Sequence, residues 1–503
     1  LYTRSFGARC SIKVYASPIA ESLGFDTTTT YRGSDGSGDG SLGSPFKSLK
    51  YAIMQASAGD TIWVYNGVYS WTIPHEWPDN LLIKAVAGQN SVIVQDDDIG
   101  RYIGGWQGRA MFFADDVHVT FDGINFDLTM NYNLAFTIWG EGVTFLNCDF
   151  DGNDVTPSLG SFGADGGEYD SMFNCKIHNF TFSGIRTGGK MLIDSCEIYD
   201  NCNWQWYQNG GIWTTSGSDL VKITRCRIYD NKDYAFKFRY NSSNIYFYNN
   251  LVYRNGGGIS AWGPVISTSG CRFISNTIVK NLRHGFVHYG GSNADTIKWN
   301  IIYWNGQEDT SNYYDFYESG NGTAPLEKYN DIWRMYQWEK GMYTMGMDPQ
   351  FVDTTDATQD YHLQVSSPCI DITGYKGSGE DLDGKSRPMP VGSSWDMGCY
   401  EEQTATKSDM EPPDNDMSLE VFSYSDTSFI FYWDPGVIDS VDAELVGIFY
   451  KTTDYPDSAD DPTAVFLKAY SLRDSIDTLL SLIHISEPTR PLYISYAVFC
   501  LKK

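Results

Sequence analysis

The stretch "IDSCEIYDN", residues 193–201, returns one period later as "ITRCRIYDN", residues 223–231. Both follow the pattern apolar-x-x-Cys-x-apolar with an Asn beyond it. The same frame appears in "FLNCDF", "FNCKI", "FYNNLV", "FISNTI" and "IKWNII", and "VTFDGINF" is an earlier member with Ile124 in the slot. The slot is filled by Cys148, Cys175, Cys196, Cys226, Asn250, Asn276 and Asn300, at intervals of 27, 21, 30, 24, 26 and 24 residues. A second Asn follows five positions on, at Asn153, Asn201, Asn231, Asn255, Asn281 and Asn305. Between these points β-branched and aromatic residues alternate without helical periodicity. One repeat therefore reads as one turn of a parallel β-solenoid. Equivalent residues of stacked turns lie about 4.8 Å apart, so the slot residues should form internal ladders, with buried Asn side chains bonding from coil to coil. Parallel Cβ vectors do not favour a disulfide between neighbouring rungs, so these four cysteines are expected reduced and buried, without a metal.

The chain has 503 residues and a net charge of -27. That length exceeds one ordinary core unless the fold grows along an axis, as a solenoid does. The charge argues against nucleic acid or an anionic membrane as partner. No run of 18 or more apolar residues exists, so no membrane-spanning helix is expected. The sequence begins at Leu1 without a signal-peptide pattern, and its true start is expected to lie upstream.

Some ten or more residues past each slot lies another short strand: "SGIRTGG", "GGIWTTSG", "YAFKFRYN", "GGGISAWG" and "HGFVHYGG". With Ile185, Ile212, Phe236, Ile259 and Phe286 facing inward, alternation turns their neighbours outward. The outward row is then Arg186, Trp213, Lys237 with Arg239, Ser260 with Trp262, and Val287 with Tyr289. A longer connection, "NWQWYQN", would hang Trp204, Trp206 and Tyr207 beside it. Aromatic planes stack on sugar rings, Arg pairs with carboxylates, and Lys becomes a base when its pKa falls. A basic strip on an acidic protein suggests a cleft for an anionic chain. The plainer reading is that Lys237 and Arg239 only solvate an exposed strand.

"YRGSDGSGDGSLGSPFKSLKYAIMQASAGDTIWVYNGVYS", residues 31–70, resembles the N-terminal signature of right-handed parallel β-helix proteins of the pectin-lyase-like superfamily: a Gly/Ser/Asp loop, a capping helix with Phe46, Leu49, Ile53 and Ala56 on one face, and a first strand. "DPQFVDTTDATQDYHLQVSSPCIDI" (348–372), "DLDGKSRP" (381–388) and "DMGCYE" (396–401) resemble the choice-of-anchor closing segment of exported bacterial β-helix proteins. Members of that family commonly carry Ala where this chain has Cys369 and Cys399, and the matched departure implies a disulfide between them. "SLEVFSYSDTSFIFYWDPG" (418–436) resembles the start of a fibronectin type III module. Residues 480–503 resemble translated sequencing adapter, so the module is expected to be interrupted there.

The expected organisation is all-β. Residues 1–29 are unassigned, 30–330 form a right-handed parallel β-helix, 331–402 its C-terminal cap, 403–416 a linker, 417–479 a partial fibronectin type III-like module, and 480–503 an adapter-derived tail. The resemblance implies an exported or cell-surface bacterial monomer that acts on polysaccharide. In related lyases Lys or Arg on this face removes the proton beside a uronate carboxylate. That implies Lys237 as base, with Arg239 and Arg186 lowering its pKa or neutralising the substrate. "LRHG" (282–285) is similar to an Arg-His pair of some alginate and chondroitin lyases, but sits two coils beyond Lys237. Parity turns His284 and His288 inward, as core residues. Asp200, Asp230 and Asp233 could serve a glycoside hydrolase, or act only as turn residues. Asp35, Asp39, Asp96, Asp97 and Asp98 could hold Ca2+, the one cofactor suggested, although such loops are more often turns. A non-catalytic surface adhesin or glycan-binding spacer is the rival to both enzymes.

Overall fold

The structure is a computed structural model. It describes residues 13–16, 34–40, 44–65, 67–71, 77–86, 91–95, 109–114, 118–127, 136–140, 142–154, 158–162, 170–203, 210–214, 219–239, 242–262, 270–288, 296–318, 326–336, 344–355, 358–373, 375, 377–389, 391, 393–403, 419–425, 428–433, 443–451, 465–471, 479–481 and 495–502. Two compact units are present, Leu1–Glu339 and Lys340–Lys503.

In the first unit, short strands fall in threes along the chain, and each joins a different parallel sheet. Among the described residues these sheets have twelve, eleven and ten strands. A representative coil places Met191–Asp194 in the first sheet, Glu197–Tyr199 in the second and Gly210–Thr214 in the third. Its partners in the next coil are Val221–Thr224, Arg227–Tyr229 and Tyr234–Arg239, with Ile193 opposite Ile223, Ile198 opposite Ile228, and Ile212 opposite Phe236. The inward rows are mostly apolar, with Thr187 opposite Thr214 a buried polar pair of the ten-stranded wall. Ile177, Ile198, Ile228, Val252, Ile278 and Ile302 stack on one wall, and Phe121 lies on Phe145 at 5.3 Å on another. Constant spacing along one axis is how the first unit buries one continuous core from Phe46 to Ile332.

The corners carry the ladders. Cys148, Cys175, Cys196 and Cys226 are buried thiols, and the row continues in Asn250, Asn276, Asn300 and Asn330. Each Asn Oδ1 accepts the backbone N–H of the preceding rung, as in Cys226 to Asn250 at 2.9 Å and Asn250 to Asn276 at 2.9 Å. Each Asn Nδ2 donates to a carbonyl of the coil before, as Asn276 does to Phe247 at 2.8 Å. Cysteine copies the pattern weakly, the Cys175 N–H donating to Cys196 Sγ at 3.4 Å. A second ladder runs Asn201, Asn231, Asn255, Asn281, Asn305 and ends on Asp315. Asn153 is not a rung of it: half-exposed, it donates to the Asp127 side chain, and Phe180 takes the place before Asn201. The residue before each rung is left-handed, at Asn147, Asn174, Ser195, Arg225, Asn249, Ser275, Trp299 and Tyr329, with φ between 51° and 59°. That conformation turns the chain sharply enough to bring the next side chain inside.

The helix Leu49–Gln55 starts at Ser48, whose hydroxyl accepts the Tyr51 N–H at 3.2 Å. Leu49, Ala52 and Ile53 are buried with Phe46, and the helix packs on the first strands of the solenoid. Strand Lys13–Ala16 adds in parallel to Thr61–Val64. Asp35 Oδ1 accepts the N–H groups of Lys47 and Ser48, both at 2.9 Å, and so fastens the loop to the helix start. Asp96, Asp97 and Asp98 lie outside the described residues.

The second unit contains two short antiparallel pairs, Phe351–Asp353 with Asp360–Leu363 and Gly379–Glu380 with Ser386–Arg387. Arg387 is its buried centre, with Nε donating to Glu401 Oε2 at 2.9 Å and a terminal N–H to the Asp396 carbonyl at 2.8 Å. Cys369 and Cys399 are both fully buried, and the Met397 N–H donates to the Cys369 carbonyl at 2.8 Å, so main-chain bonding joins their two segments. Further on, strands described by their backbone form two antiparallel sheets: Leu419–Ser425, Ser428–Trp433 and Leu479–Ser481, then Val465–Ser471, Ala443–Lys451 and Ser495–Lys502. Among the described residues no helix is long and apolar enough to cross a membrane.

Candidate functional site

The ten-stranded sheet sets the register of the candidate site. Ile185, Ile212, Phe236, Ile259, Phe286 and Phe316 align and are buried. One residue on, Arg186, Trp213, Lys237, Ser260 and Val287 align as alternation requires, and the row continues through Tyr317 and Tyr336. Arg239 aligns with Trp262 by its backbone, and neither side chain is among those described. Trp204, Trp206, Tyr207 and Tyr289 lie outside the described residues.

Both ends of the row are half-exposed and its middle is covered. Lys237 is 4% exposed, which rules out the reading in which it merely solvates a strand. Its Nζ lies 3.5 Å from Asp233 Oδ2, and Arg283 reaches the other oxygen, Oδ1, at 3.4 Å. Tyr234 covers the group, its ring 5.3 Å from the Lys237 ammonium and 5.5 Å from the Arg283 guanidinium. Glycine on the next coil makes room for that ring, since a Cβ on Gly257 would meet it at 2.4 Å. Burial is the main force on Lys237 and lowers its pKa; Asp233 opposes this, and Arg283 adds to the lowering. The neighbours expected from the sequence were Arg239 and Arg186. The described neighbours are Asp233 and Arg283, while Arg186 instead lies over the Trp213 ring at 4.7 Å. Two cations thus share one carboxylate on this face.

Toward the other end, His284 precedes its strand and does not point into the core. It is half-buried, its Nδ1 accepts the Tyr314 N–H at 3.0 Å, and its ring lies 4.5 Å from that of Tyr317. Burial, with Arg283 beside it, pushes its pKa down to about 4, so the ring is neutral at pH 7 with its proton on Nε2. Tyr317 stacks on Tyr336 at 5.0 Å, and Tyr314 closes on Tyr336 at 4.9 Å. His288 is buried, as its parity requires.

The acidic residues divide between two places. Asp233 belongs to the lysine cluster, whereas Asp200 and Asp230 sit at the corner that follows the eleven-stranded sheet. Burial raises the Asp200 pKa, and the neighbouring Asp230 raises it further, while Asp230 accepts from Arg254 Nε at 2.8 Å. On the eleven-stranded sheet His178, Tyr199, Tyr229 and Tyr253 stack at 4.9 to 5.1 Å, a ladder whose sequence signal is the Tyr three positions after Cys196, Cys226 and Asn250. Its rings cover one another's faces and leave only edges outward. Among the described residues no three His, Cys, Asp or Glu side chains are arranged to hold a metal ion.

The model for the right handed beta helix region matches residues 83–264 and 165–323, which supplies the hand of the solenoid. Among solved structures the chain is similar to pectate lyase Pel9A, at 14% identity over 79% of this chain and 98% of that one, with a TM-score of 0.41. It is similar also to the A-module of the Azotobacter vinelandii mannuronan C-5 epimerase AlgE4, at 11% identity over 57% and 91% of the two chains, with a TM-score of 0.37. A rhamnogalacturonan lyase matches at 11% identity over 69% and 91%, with a TM-score of 0.34. No curated protein matches the sequence.

Proposed function

We propose that this is an exported bacterial protein that engages a uronate-containing polysaccharide along the ten-stranded sheet and cleaves it by β-elimination. The observation that carries the reading is the Lys237–Asp233–Arg283 cluster, in which the Asp233 carboxylate lies between Lys237 on the outward row and Arg283 beside it, in a protein whose net charge is -27. A substrate carboxylate would pair with the Arg283 guanidinium. Arg283 is 32% exposed and Lys237 only 5%, so an incoming uronate meets the guanidinium first and competes with Asp233 for it. With the uronate carboxylate neutralised, its C5–H becomes acidic. The unprotonated Lys237 amine takes that proton, the C4–O bond breaks, and the leaving oxygen is protonated from solvent, so no co-reactant is required. Burial favours the neutral amine.

The test is incubation of the full chain with a panel of uronate polysaccharides, followed by ultraviolet absorbance of the unsaturated product. Signal that disappears in a folded Lys237→Ala variant and falls in Arg283→Ala is the expected result. Reducing ends released without that absorbance would replace the reading with a hydrolase, for which the raised Asp200 beside Asp230 is the specific candidate. Retention on one glycan without cleavage would leave a binding protein.

A further inference from the structure

The outward row changes character along its length. Arg186 and Lys237 occupy one part, with Arg283 reaching Asp233 from the corner that precedes the Val287 strand, while beyond Val287 the row consists of Tyr317 and Tyr336. Lys237 and Tyr317 are three coils apart, about 14 Å, so one extended glycan can lie over both with different sugars on each. One basic residue next to the tyrosines is Arg334, and its guanidinium already donates to the Thr310 and Asn305 carbonyls, both at 2.6 Å. His284 uses Nδ1 to accept from the main chain. The corner loop that supplies Tyr313 and Tyr314 also carries Glu308 and Asp309, so the rim at this end is acidic. Arg283, which directly precedes His284, is the nearest available cation, and a uronate on the Lys237 cluster already engages it; a second uronate placed over the tyrosines would meet the carboxylates of the rim.

Resting on the reading above, we propose that the substrate is a mixed polysaccharide: uronate over the Lys237–Asp233–Arg283 cluster and neutral sugar over Tyr314, Tyr317 and Tyr336. The neutral subsite works by hydroxyl contact rather than ring stacking. Tyr317 has His284 on one face and Tyr336 on the other, so ring edges and phenol oxygens meet the ligand. A homopolyuronate would place charge at every position of the row and is disfavoured at the tyrosine end.

Titration calorimetry of the full-length protein with two oligosaccharides of equal length tests this, one all uronate and one alternating uronate with neutral sugar. The alternating ligand should bind about tenfold tighter. Tyr317→Phe and Tyr336→Phe keep the stacked ladder and remove only hydroxyls; each should weaken the alternating ligand by roughly three- to tenfold and the uronate oligomer by less. Equal or tighter binding of the all-uronate ligand, or equal losses on both in the Phe variants, overturns the mixed-substrate inference while leaving the uronate reading intact. If neither ligand binds, or if Arg283→Ala changes neither affinity, the uronate reading itself fails and this inference with it.

Discussion

Burial opposes the charge on Lys237, and the residue keeps its place because Asp233 lies at one side and the Tyr234 ring above. A lysine with its pKa lowered in the fold releases its proton before the unfolded chain does. Between the folded value and the ordinary lysine value of about 10.4, the unfolded state holds more protons, so stability contributed at this site rises with pH. Lys237→Met should flatten that rise relative to the parent, read as denaturant midpoints across the alkaline range; an unchanged slope would mean that Lys237 titrates normally. Asp233→Asn should act in the opposite sense, leaving two uncompensated cations and lowering stability by about 3–5 kcal/mol at neutral pH. Most of that loss should disappear at alkaline pH, as Lys237 neutralises. Loss that persists there would show that packing, and not charge, is what Asp233 provides.

The elements are held in register by their corners, and the corner ladders are where single changes should do most harm. Asn276 accepts from the N–H and the side-chain amide of Asn250 and donates to the Phe247 carbonyl. Asn276→Ala strands these buried groups and should cost roughly 3 kcal/mol or more by urea denaturation. Asn276→Cys should cost less, because Cys196 shows that a thiol can accept the preceding N–H. Equal losses would mean the cysteine rungs contribute no bonding. At the far end of the second ladder, burial pushes Asp315 up to about 6, despite N–H donation from Asn305 and Arg334. Here the folded state binds the proton more tightly, so stability is full near pH 4 and falls as pH rises through 6, by about 3 kcal/mol. Asp315→Asn should remove that slope. The slots of both ladders were legible in the sequence because Cys and Asn repeat at fixed offsets from apolar residues. Their left-handed corner residues were not, since Ser195, Arg225, Trp299 and Tyr329 share a backbone conformation and no chemistry. Nor was the pairing of Arg283 with Asp233, which lies two coils away and depends on how each corner loop folds. His284 escaped for the same reason: alternation applies within a strand, and its strand begins at Phe286.

For the whole molecule, net charge and local charge act on an anionic glycan with opposite signs and different reach. The net charge of -27 repels a polyanion at long range, whereas Arg283 and Lys237 act only on contact. Screening separates the two, because the Debye length falls from about 30 Å at 0.01 M salt to about 8 Å at 0.15 M. The long-range repulsion is therefore lost first as salt is added, while partly buried pairs are screened much less. Stopped-flow association with a uronate oligosaccharide should accelerate over this salt range, the reverse of an electrostatically steered encounter. Arg283→Ala should leave that acceleration in place and raise the dissociation rate, since it removes a contact and hardly alters the far field. An association rate that instead falls steeply with salt would mean that the cationic cluster projects beyond the acidic surface, and that the ten-stranded face steers its ligand from a distance as well as holding it.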